Sequence, residues 1–400
     1  MKWATSSGVL PSSDRRMTVV SIVTKSLPHY RVPFFEALRV ELERCGVTLR
    51  LIYGLPSAEE SKKRDTATIS WGHPIRNRSL PIAGREFWWQ PCAALVRGSD
   101  LVIVEQASKL LLNYVLLARQ ALGGSKVAFW GHGRNLQEHT ASRLGESVKR
   151  LVSRWPHWWF AYAEGSAEIV RRLPFPSERI TAVQNAIDTA ALRSRHASVS
   201  EQELAELRLR LGIRSQNVAI FAGGLYAEKR LGFLVEAATA LRRFVPDFEL
   251  IVIGAGPDQM VIEEAAREHQ WIHYPGPILG IAKVPYFSLS KVMLLPGLVG
   301  LGVLDSFALE IPLVTVDLAA HGPEMGYLRN GENGVKLPAD TDPAGYAVAV
   351  SRLLRDEAEW ERLRAGCRAA AQVYTMEAMV SRFAAGVLLA LGRSANVNPS

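Results

Sequence analysis

The sequence has few cysteines and no long apolar run, and each shortage removes a class of protein. Cys45, Cys92 and Cys367 are odd in number and far apart, which excludes a disulfide framework and a clustered thiolate metal site. The apolar stretch 383–392 is too short to span a bilayer. Residues 1–16 lack the hydrophobic segment of a secretion signal, so we expect a disordered tail there. These shortages favour a cytoplasmic protein without a transmembrane helix.

The composition is that of a soluble globular protein with a net positive charge. The chain has 400 residues, 48% of them hydrophobic, and a formal charge of +8, which allows two domains with full cores. Positive charge suits anionic partners such as nucleic acid, nucleotide phosphates or acidic lipids. Because no nucleic-acid-binding module is recognisable, we expect no nucleic-acid partner.

Short β-branched or aromatic runs alternate with helical periodicity in two series. The first series predicts strands at 18–24, 47–54, 100–106, 126–131 and 158–163, and helices at 33–44 and 107–122. The second predicts strands at 218–224, 248–256, 271–276, 291–297 and 312–317, and helices at 230–244, 258–268, 303–310 and beyond 342. This alternation is typical of an α/β protein with two Rossmann-like, doubly wound domains and parallel sheets. Ligands of such sheets bind beyond the carboxyl ends of the strands, which here means the cleft between the domains.

The domain boundaries follow from where this alternation stops and restarts. We expect a first domain at 17–190, a polar linker region at 191–216, a second domain at 217–372, a C-terminal helix at 373–392 that can cross back to the first domain, and a tail at 393–400.

Three loops of the second domain follow strands and point toward that cleft. Residues 254–259, "GAGPDQ", lack the third glycine of a dinucleotide fingerprint, since Gln259 stands there. The glycine loop, residues 297–302, feeds a helix, and its amides could bind a phosphate. Asp305 could accept from ribose hydroxyls or simply favour a helix N-terminus. Lys229, in "GGLYAEKR", could be a surface lysine or the counter-charge of a diphosphate.

Together these segments resemble the retaining nucleotide-sugar glycosyltransferases of family 4, which have the GT-B fold of two Rossmann-like domains facing a cleft. The family's G-R-L-x-x-E-K-G is similar to residues 223–230, its G-x-G-P to 254–257, its N-G-V-D to 185–188 and its G-x-N-G to 331–334. The family's pair of glutamates, which has seven residues between its members, falls on Gly297 and Asp305.

The resemblance implies a donor site in the second domain. The residues that it implies are Gly223, Lys229, Gly300, Leu301, Gly302, Asp305 and Ser306. Three positions depart from the family: Gly297 replaces the glutamate that contacts the donor sugar, Gly224 replaces an arginine that helps to hold the diphosphate, and Glu310 replaces a glycine. Glu324, in "HGPEMGY", is our candidate for the missing sugar-contacting carboxylate.

The first domain is then expected to hold the acceptor. Its candidates follow two strands: His29, Tyr30 and Arg31 after the first, and His132 and Arg134 in "GHGR". In related enzymes a histidine near this place lies beside the transferred sugar, so the resemblance gives His132 a catalytic role alongside Lys229.

The function implied is transfer of a sugar from a nucleoside diphosphate sugar to an acceptor hydroxyl, with retention, in the assembly of bacterial surface polysaccharide or glycolipid. No cofactor and no metal are implied. The Asp-x-Asp ending at Asp342 resembles a metal motif, but Asp342 before Pro343 is typical of a helix N-cap. Three alternatives stay open: a sugar-nucleotide epimerase of similar fold, a non-catalytic partner protein, and a nucleic-acid binder.

Two basic segments bear on the membrane. Residues 141–155 combine an apolar helical face with basic residues and could lie on anionic lipid or pack on the sheet. Residues 61–64, "SKKR", could attract a lipid diphosphate or be solvated. The resemblance favours a sugar or lipid-linked acceptor at the cytoplasmic face of the inner membrane, with peripheral contact.

Overall fold

A computed structural model describes residues 17–56, 65–82, 85–133 and 152–394 of the chain. The expected tail at 1–16, the segment 61–64, Arg134 and residues 141–151 of the expected amphipathic helix lie outside these ranges.

The first domain is built on a seven-stranded parallel sheet with the strand order β3-β2-β1-β6-β7-β8-β9. Apolar runs such as "TVVSIVT" in β1 are buried from Val20 onward, as expected for a sheet covered on both faces. The strands, including an antiparallel β4–β5 ribbon beside the sheet, are β1 Thr18–Thr24, β2 Val47–Gly54, β3 His73–Ile75, β4 Arg78–Ile82, β5 Arg85–Trp89, β6 Leu101–Glu105, β7 Lys126–Gly131, β8 Trp158–Ala161 and β9 Ile180–Ala182. The helices are α1 Val32–Arg44, α2 Leu111–Ala121 and α3 Glu164–Arg171.

The second domain has a six-stranded parallel sheet with the order β12-β11-β10-β13-β14-β15. Its strands are β10 Val218–Ala222, β11 Glu249–Ile253, β12 Ile272–Gly276, β13 Val292–Leu295, β14 Leu313–Val316 and β15 Gly334–Leu337. The helices that follow β9 along the chain are α4 Thr189–Ala197, α5 Glu201–Leu211, α6 Leu231–Leu241, α7 Gln259–Glu268, α8 Val284–Ser288, α9 Gly302–Ala308, α10 Pro343–Arg355, α11 Glu357–Val373 and α12 Met376–Ala390.

The predicted fold class is confirmed, because both main sheets are parallel and doubly wound. In each sheet the strand order reverses once, between β1 and β6 and between β10 and β13. A crevice opens at such a switch point beyond the carboxyl ends of the strands. A site is therefore expected at the loops that follow β1, β10 and β13.

The polar region 191–216 is helical rather than an open connection. It contains most of α4 and all of α5, which pack on the second domain: His196 Nδ1 lies 3.0 Å from Ser288 Oγ, and Arg210 donates to the Tyr286 hydroxyl at 3.3 Å. Asp188 caps α4 by accepting from the Ala191 amide at 2.9 Å.

The last helix, α12, lies against the first domain. Phe383 stacks on Phe160 of β8 with ring centroids 4.4 Å apart and meets Phe34 of α1 at 5.4 Å. The stretch Glu357–Ala390, which covers α11 and α12, is long and apolar enough to cross a membrane by length and composition alone. Half of the apolar window of this stretch is buried within the fold, and α12 supplies the contacts with the first domain.

Candidate functional site

The glycine loop packs directly on the loop that follows β10. A Cβ added to Gly297 would lie 2.5 Å from the Lys229 Cα, and the Leu298 amide donates to the Glu228 carbonyl at 2.9 Å. Only a residue without a side chain allows this approach. The glycine therefore joins the two loops at the switch point of the second sheet, and no carboxylate could occupy this position.

Lys229 lies at this junction. Its side chain is buried and donates to the Leu298 carbonyl, and its Nζ lies 5.3 Å from the centre of the Tyr226 ring. Burial lowers the pKa of Lys229 from 10.5 to about 8, with a smaller opposing effect of Glu228. A desolvated ammonium beside a loop of amides is suited to bind an anion.

Gly224 has no space for an arginine unless Tyr226 moves. An added Cβ would lie 2.7 Å from the Tyr226 ring, which also faces Lys229. In contrast, a Cβ on Gly223 would meet nothing within 4 Å, so this residue borders open space, while its amide donates to the Ile253 carbonyl at 3.0 Å.

His321 fixes the shape of the glycine loop. The Val299 amide donates to His321 Nδ1 at 2.9 Å, and His321 Nε2 lies 2.7 Å from the Val316 carbonyl. A ring that accepts at Nδ1 and donates at Nε2 is neutral, and burial lowers its pKa accordingly. Sequence reasoning missed this histidine, although it lies in the quoted segment around Glu324.

The amides of Gly300, Leu301 and Gly302 lie where the glycine loop enters α9. The first amides of a helix have no intrahelical partner. Because α9 has only seven residues, we assign any anion binding here to these amides and not to a helix dipole. Leu301 itself contributes an apolar side chain that packs on the core.

Asp305 is already partnered. Its carboxylate is buried, and its Oδ1 lies 2.6 Å from the Lys283 Nζ. Lys283 ends the turn Gly280–Lys283 after β12, and no sequence pattern indicated it. A ribose at this place would therefore meet a carboxylate and an ammonium together.

The side chain of Ser306, which we expected in the donor site, lies inside the second domain. Its side chain has no exposed surface, and its hydroxyl donates to the Ile311 carbonyl at 2.6 Å. This bond closes the end of α9, so the hydroxyl faces the core and not the cleft.

Glu324 lies between the two domains. It is buried and accepts from the Asn185 amide nitrogen at 2.5 Å, and its Oε2 lies 3.9 Å from the position of a Cβ on Gly300. Burial raises the pKa of Glu324, while Asn185 and Arg31 oppose that rise. The structure thus places a carboxylate beside the glycine loop, held by a residue that follows β9.

Three candidates of the first domain, Tyr30, Arg31 and His132, belong to an aromatic cluster around Arg31. Its guanidinium lies 4.5 Å from the Trp130 ring centre and 5.7 Å from that of Tyr162, and 5.4 Å from that of Tyr30. His132 packs edge-on against Tyr162 at 4.6 Å. No sequence pattern indicated Tyr162, although its ring contacts both Arg31 and His132.

His132 is neutral at physiological pH. Burial, followed by the charge of Arg31, lowers its pKa to about 4, and its Nδ1 is buried without a hydrogen-bond partner. His29 is turned aside, since its Nδ1 lies 3.2 Å from the Asp65 carbonyl. A cavity of about 70 Å³ opens at this cluster, lined among others by Thr24, Tyr30, Arg31, Glu105, Trp130 and Tyr162.

Two positions where the family has glycine carry left-handed residues here. Arg230 has φ 56° and Glu310 has φ 57°, conformations that suit glycine. Glu310 is held by Arg368, at 2.6 Å, and Arg364, at 3.4 Å, which also lower its pKa.

Asp342, which ends the Asp-x-Asp sequence that resembles a metal motif, is the N-cap of α10, as predicted, and accepts from the Gly345 amide at 2.7 Å.

Two facing doubly wound domains with these loops at their switch points define the GT-B class of fold, and solved structures agree. The Anabaena protein HepE in complex with UDP-glucose is similar with a TM-score of 0.67 at 13% identity, covering 94% of this chain and all of that one (100%). Sucrose-phosphate synthase from Thermosynechococcus elongatus has a TM-score of 0.67 at 14% identity, covering 92% and 97%.

The match to a known family lies in the second domain. Residues 216–356 match the family described as glycosyl transferases group 1. The chain is 27% identical to an alpha-D-kanosaminyltransferase of Streptomyces kanamyceticus over 62% of this chain and 66% of that protein. It is 25% identical to an alpha-monoglucosyldiacylglycerol synthase of Acholeplasma laidlawii over 35% and 36%. These matches span about two thirds or less of each relative.

Proposed function

We propose that the protein transfers a sugar from a nucleoside diphosphate sugar to an acceptor hydroxyl, with retention of the anomeric configuration. The observation that carries this proposal is the buried Lys229 beside the glycine loop at the switch point of the second sheet. A site with a desolvated cation and free amides suits a diphosphate leaving group. The names of the curated relatives and the UDP-glucose bound to HepE support the same class of donor.

In this proposal the second domain holds the donor. Lys229 and the amides of Gly300, Leu301 and Gly302 bind the diphosphate, with Gly223 bordering the space. Asp305 accepts from the ribose, with Lys283 beside it. Glu324 contacts the donor sugar in place of the glutamate missing at Gly297, since it lies beside Gly300.

The reaction breaks the bond between the anomeric carbon and the diphosphate oxygen and joins that carbon to the acceptor oxygen. The acceptor proton passes to the departing diphosphate oxygen on the same face, which preserves configuration. Catalysis then consists mainly of stabilising the leaving group, because negative charge grows on the diphosphate beside Lys229. His132 is neutral, so we assign it a hydrogen bond to the sugar or acceptor and not a proton transfer from an imidazolium.

The acceptor is assigned to the first domain and to the sugar or lipid-linked class. Two relatives are named for lipid products or acceptors, alpha-monoglucosyldiacylglycerol synthase and phosphatidyl-myo-inositol mannosyltransferase. The β4–β5 ribbon exposes Leu80 (40%) and Ile82 (49%) next to Arg78, a combination suited to an anionic lipid surface. We therefore infer peripheral contact with the cytoplasmic face of the membrane, in surface polysaccharide or glycolipid assembly.

The experiment is a thermal-stabilisation screen of nucleoside diphosphate sugars, followed by transfer assays with the best donor. One donor should raise the melting temperature of the protein and support transfer, and Lys229→Met should abolish both effects. Lys336→Met is the matched control, since Lys336 pairs with Asp317 at 3.4 Å on the edge strand. Donor turnover without acceptor would favour the epimerase alternative, and absence of any nucleotide binding would favour a non-catalytic protein.

A further inference from the structure

The second domain alone offers an incomplete set of charges for a diphosphate. At Gly224, where the family has an arginine, the Tyr226 ring fills the adjoining space. Lys283 is a nearby ammonium, but Asp305 neutralises it at 2.6 Å. Lys229 remains as the buried cation next to the glycine loop, since the guanidinium of Arg230 packs over the Phe233 ring at 4.2 Å and reaches the Pro296 carbonyl only at 3.5 Å. A group with two negative charges would gain from a second cation.

Arg31 of the first domain has the properties of such a cation. Its side chain is only 7% exposed, and its Nη1 is buried without a hydrogen-bond partner. Four aromatic rings lie around its guanidinium, and the centre of the nearest, that of Trp130, is at 4.5 Å. These rings stabilise the charge through their faces but accept no conventional hydrogen bond. A desolvated guanidinium with an unused donor is costly unless an anion meets it.

A continuous set of contacts joins Arg31 to the glycine loop. The guanidinium lies 5.7 Å from the Tyr162 ring centre, and the Tyr162 carbonyl accepts from the Asn185 amide at 2.6 Å. The Asn185 side chain donates to Glu324, whose other oxygen borders Gly300. Arg31 also follows β1 at the switch point of its own sheet. Arg31 of the first domain and Gly300 of the second therefore flank the contact between the domains that Asn185 and Glu324 make.

We propose that Arg31 binds the diphosphate of the donor from the first domain, opposite Lys229, and supplies the guanidinium that Gly224 lacks. This inference rests on the proposed function, and it assigns Arg31 to the leaving diphosphate instead of the acceptor. A planar guanidinium can donate two hydrogen bonds to one phosphate. Because the two cations belong to different domains, full neutralisation of the leaving group requires both domains to close on the donor.

The chemistry that Arg31 recognises is a phosphate or other compact anion, which the donor or an anionic acceptor could provide. Calorimetry with uridine, UMP and UDP separates these sources, because the three ligands differ only in phosphate. If another base binds wild type better, the corresponding nucleoside series is used. Arg31→Met should weaken UDP binding by about 10- to 100-fold, the effect of a lost charged hydrogen bond, and leave uridine binding within about twofold.

Arg39→Met is the matched control. Arg39 lies on α1, is exposed and packs over the Trp71 ring at 5.0 Å, so it repeats the cation–aromatic contact away from the cleft. It should bind UDP as wild type does. Arg31→Lys keeps the charge without the planar donors, and its UDP affinity should fall between wild type and Arg31→Met. This variant keeps the test decisive if Arg31→Met does not fold.

Three results would overturn the inference. Equal loss of uridine and UDP affinity would show that Arg31 supports the fold of the site. Unchanged UDP affinity with a raised KM for the acceptor alone would return Arg31 to the acceptor. Failure of every nucleoside diphosphate to bind wild type would remove the proposed function as well, so the two failures are distinguishable.

Discussion

Binding of a nucleoside diphosphate should be coupled to proton uptake by Lys229. Burial lowers the pKa of Lys229 to about 8, so at pH 8 about half of the free protein carries a neutral amine there. A diphosphate beside the amine favours the ammonium and raises this pKa again. Each binding event at pH 8 should therefore take up about half a proton.

The pH dependence has a definite sign. At pH 6 the amine is protonated with or without ligand, so Lys229 takes up almost no proton on binding. Above pH 8 the free amine is mostly neutral, and the affinity should fall up to about tenfold per pH unit until the bound group also titrates. In the free protein the lowered pKa has the opposite consequence: stability should rise as the pH increases from about 8 toward 10.5, because the unfolded chain binds more protons there.

The assay is calorimetry at pH 8 in HEPES and in Tris, whose ionisation enthalpies differ. The dependence of the observed enthalpy on the buffer enthalpy gives the number of protons taken up. Lys229→Met should remove this uptake and weaken binding, whereas Lys336→Met should retain both. Tight binding by wild type without proton uptake, or the same uptake in Lys229→Met, would refute the placement of Lys229 against the diphosphate.

Four further outcomes are expected. Asp305→Ala should weaken uridine as well as UDP binding, because it removes the ribose acceptor and leaves an unpaired ammonium; calorimetry showing unchanged affinity would contradict the ribose assignment. His132→Ala should lower the rate of transfer more than UDP affinity, and equal losses in the two assays would move His132 out of the reaction centre. Glu310→Gly should be more stable than Glu310→Ala by about 0.5–1 kcal/mol in denaturant unfolding, since left-handed φ costs alanine about 1–2 kcal/mol and glycine's larger unfolded-state entropy returns part of that; the reverse order would show that φ is not strained. Gly297→Ala should destabilise the protein and weaken UDP binding, whereas Gly232→Ala, where an added Cβ meets nothing within 4 Å, should do neither; a tolerated Gly297→Ala would contradict the close packing of the two loops.

The sequence predicted the parts of the fold that depend on local periodicity. Parallel strands buried on both faces appear as continuous apolar runs, so β1, β10 and β13 were predicted within a few residues of their observed bounds. β15 was missed because its sequence "GVKL", with a glycine and a lysine and only partial burial, lacks the continuous apolar run of the buried strands. The β4–β5 ribbon was missed because "RSLPI", fully exposed, lacks the apolar alternation of a half-buried strand.

The contacts of the site were less accessible, because they join residues far apart in the chain. The Asn185–Glu324 bond connects positions 139 residues apart, and nothing in either local segment specifies the other. Lys283, in the turn after β12, pairs with Asp305 of α9, and the proximity of these two elements depends on the strand order of the sheet. Sequence patterns thus identify the loops that face the crevice, whereas packing decides which of their side chains meet.

Gly297 shows why a missing residue can be part of a working arrangement. A glutamate here would have to displace the backbone of Glu228 and Lys229, since the Lys229 Cα lies 2.5 Å from an added Cβ. The close approach that excludes the carboxylate also brings the Leu298 carbonyl onto Lys229. A sugar-contacting acid must then come from another loop, and Glu324 is fixed beside Gly300 by Asn185. Because Asn185 follows β9 of the first sheet, recognition of the donor sugar in this protein would depend on the contact between the two domains.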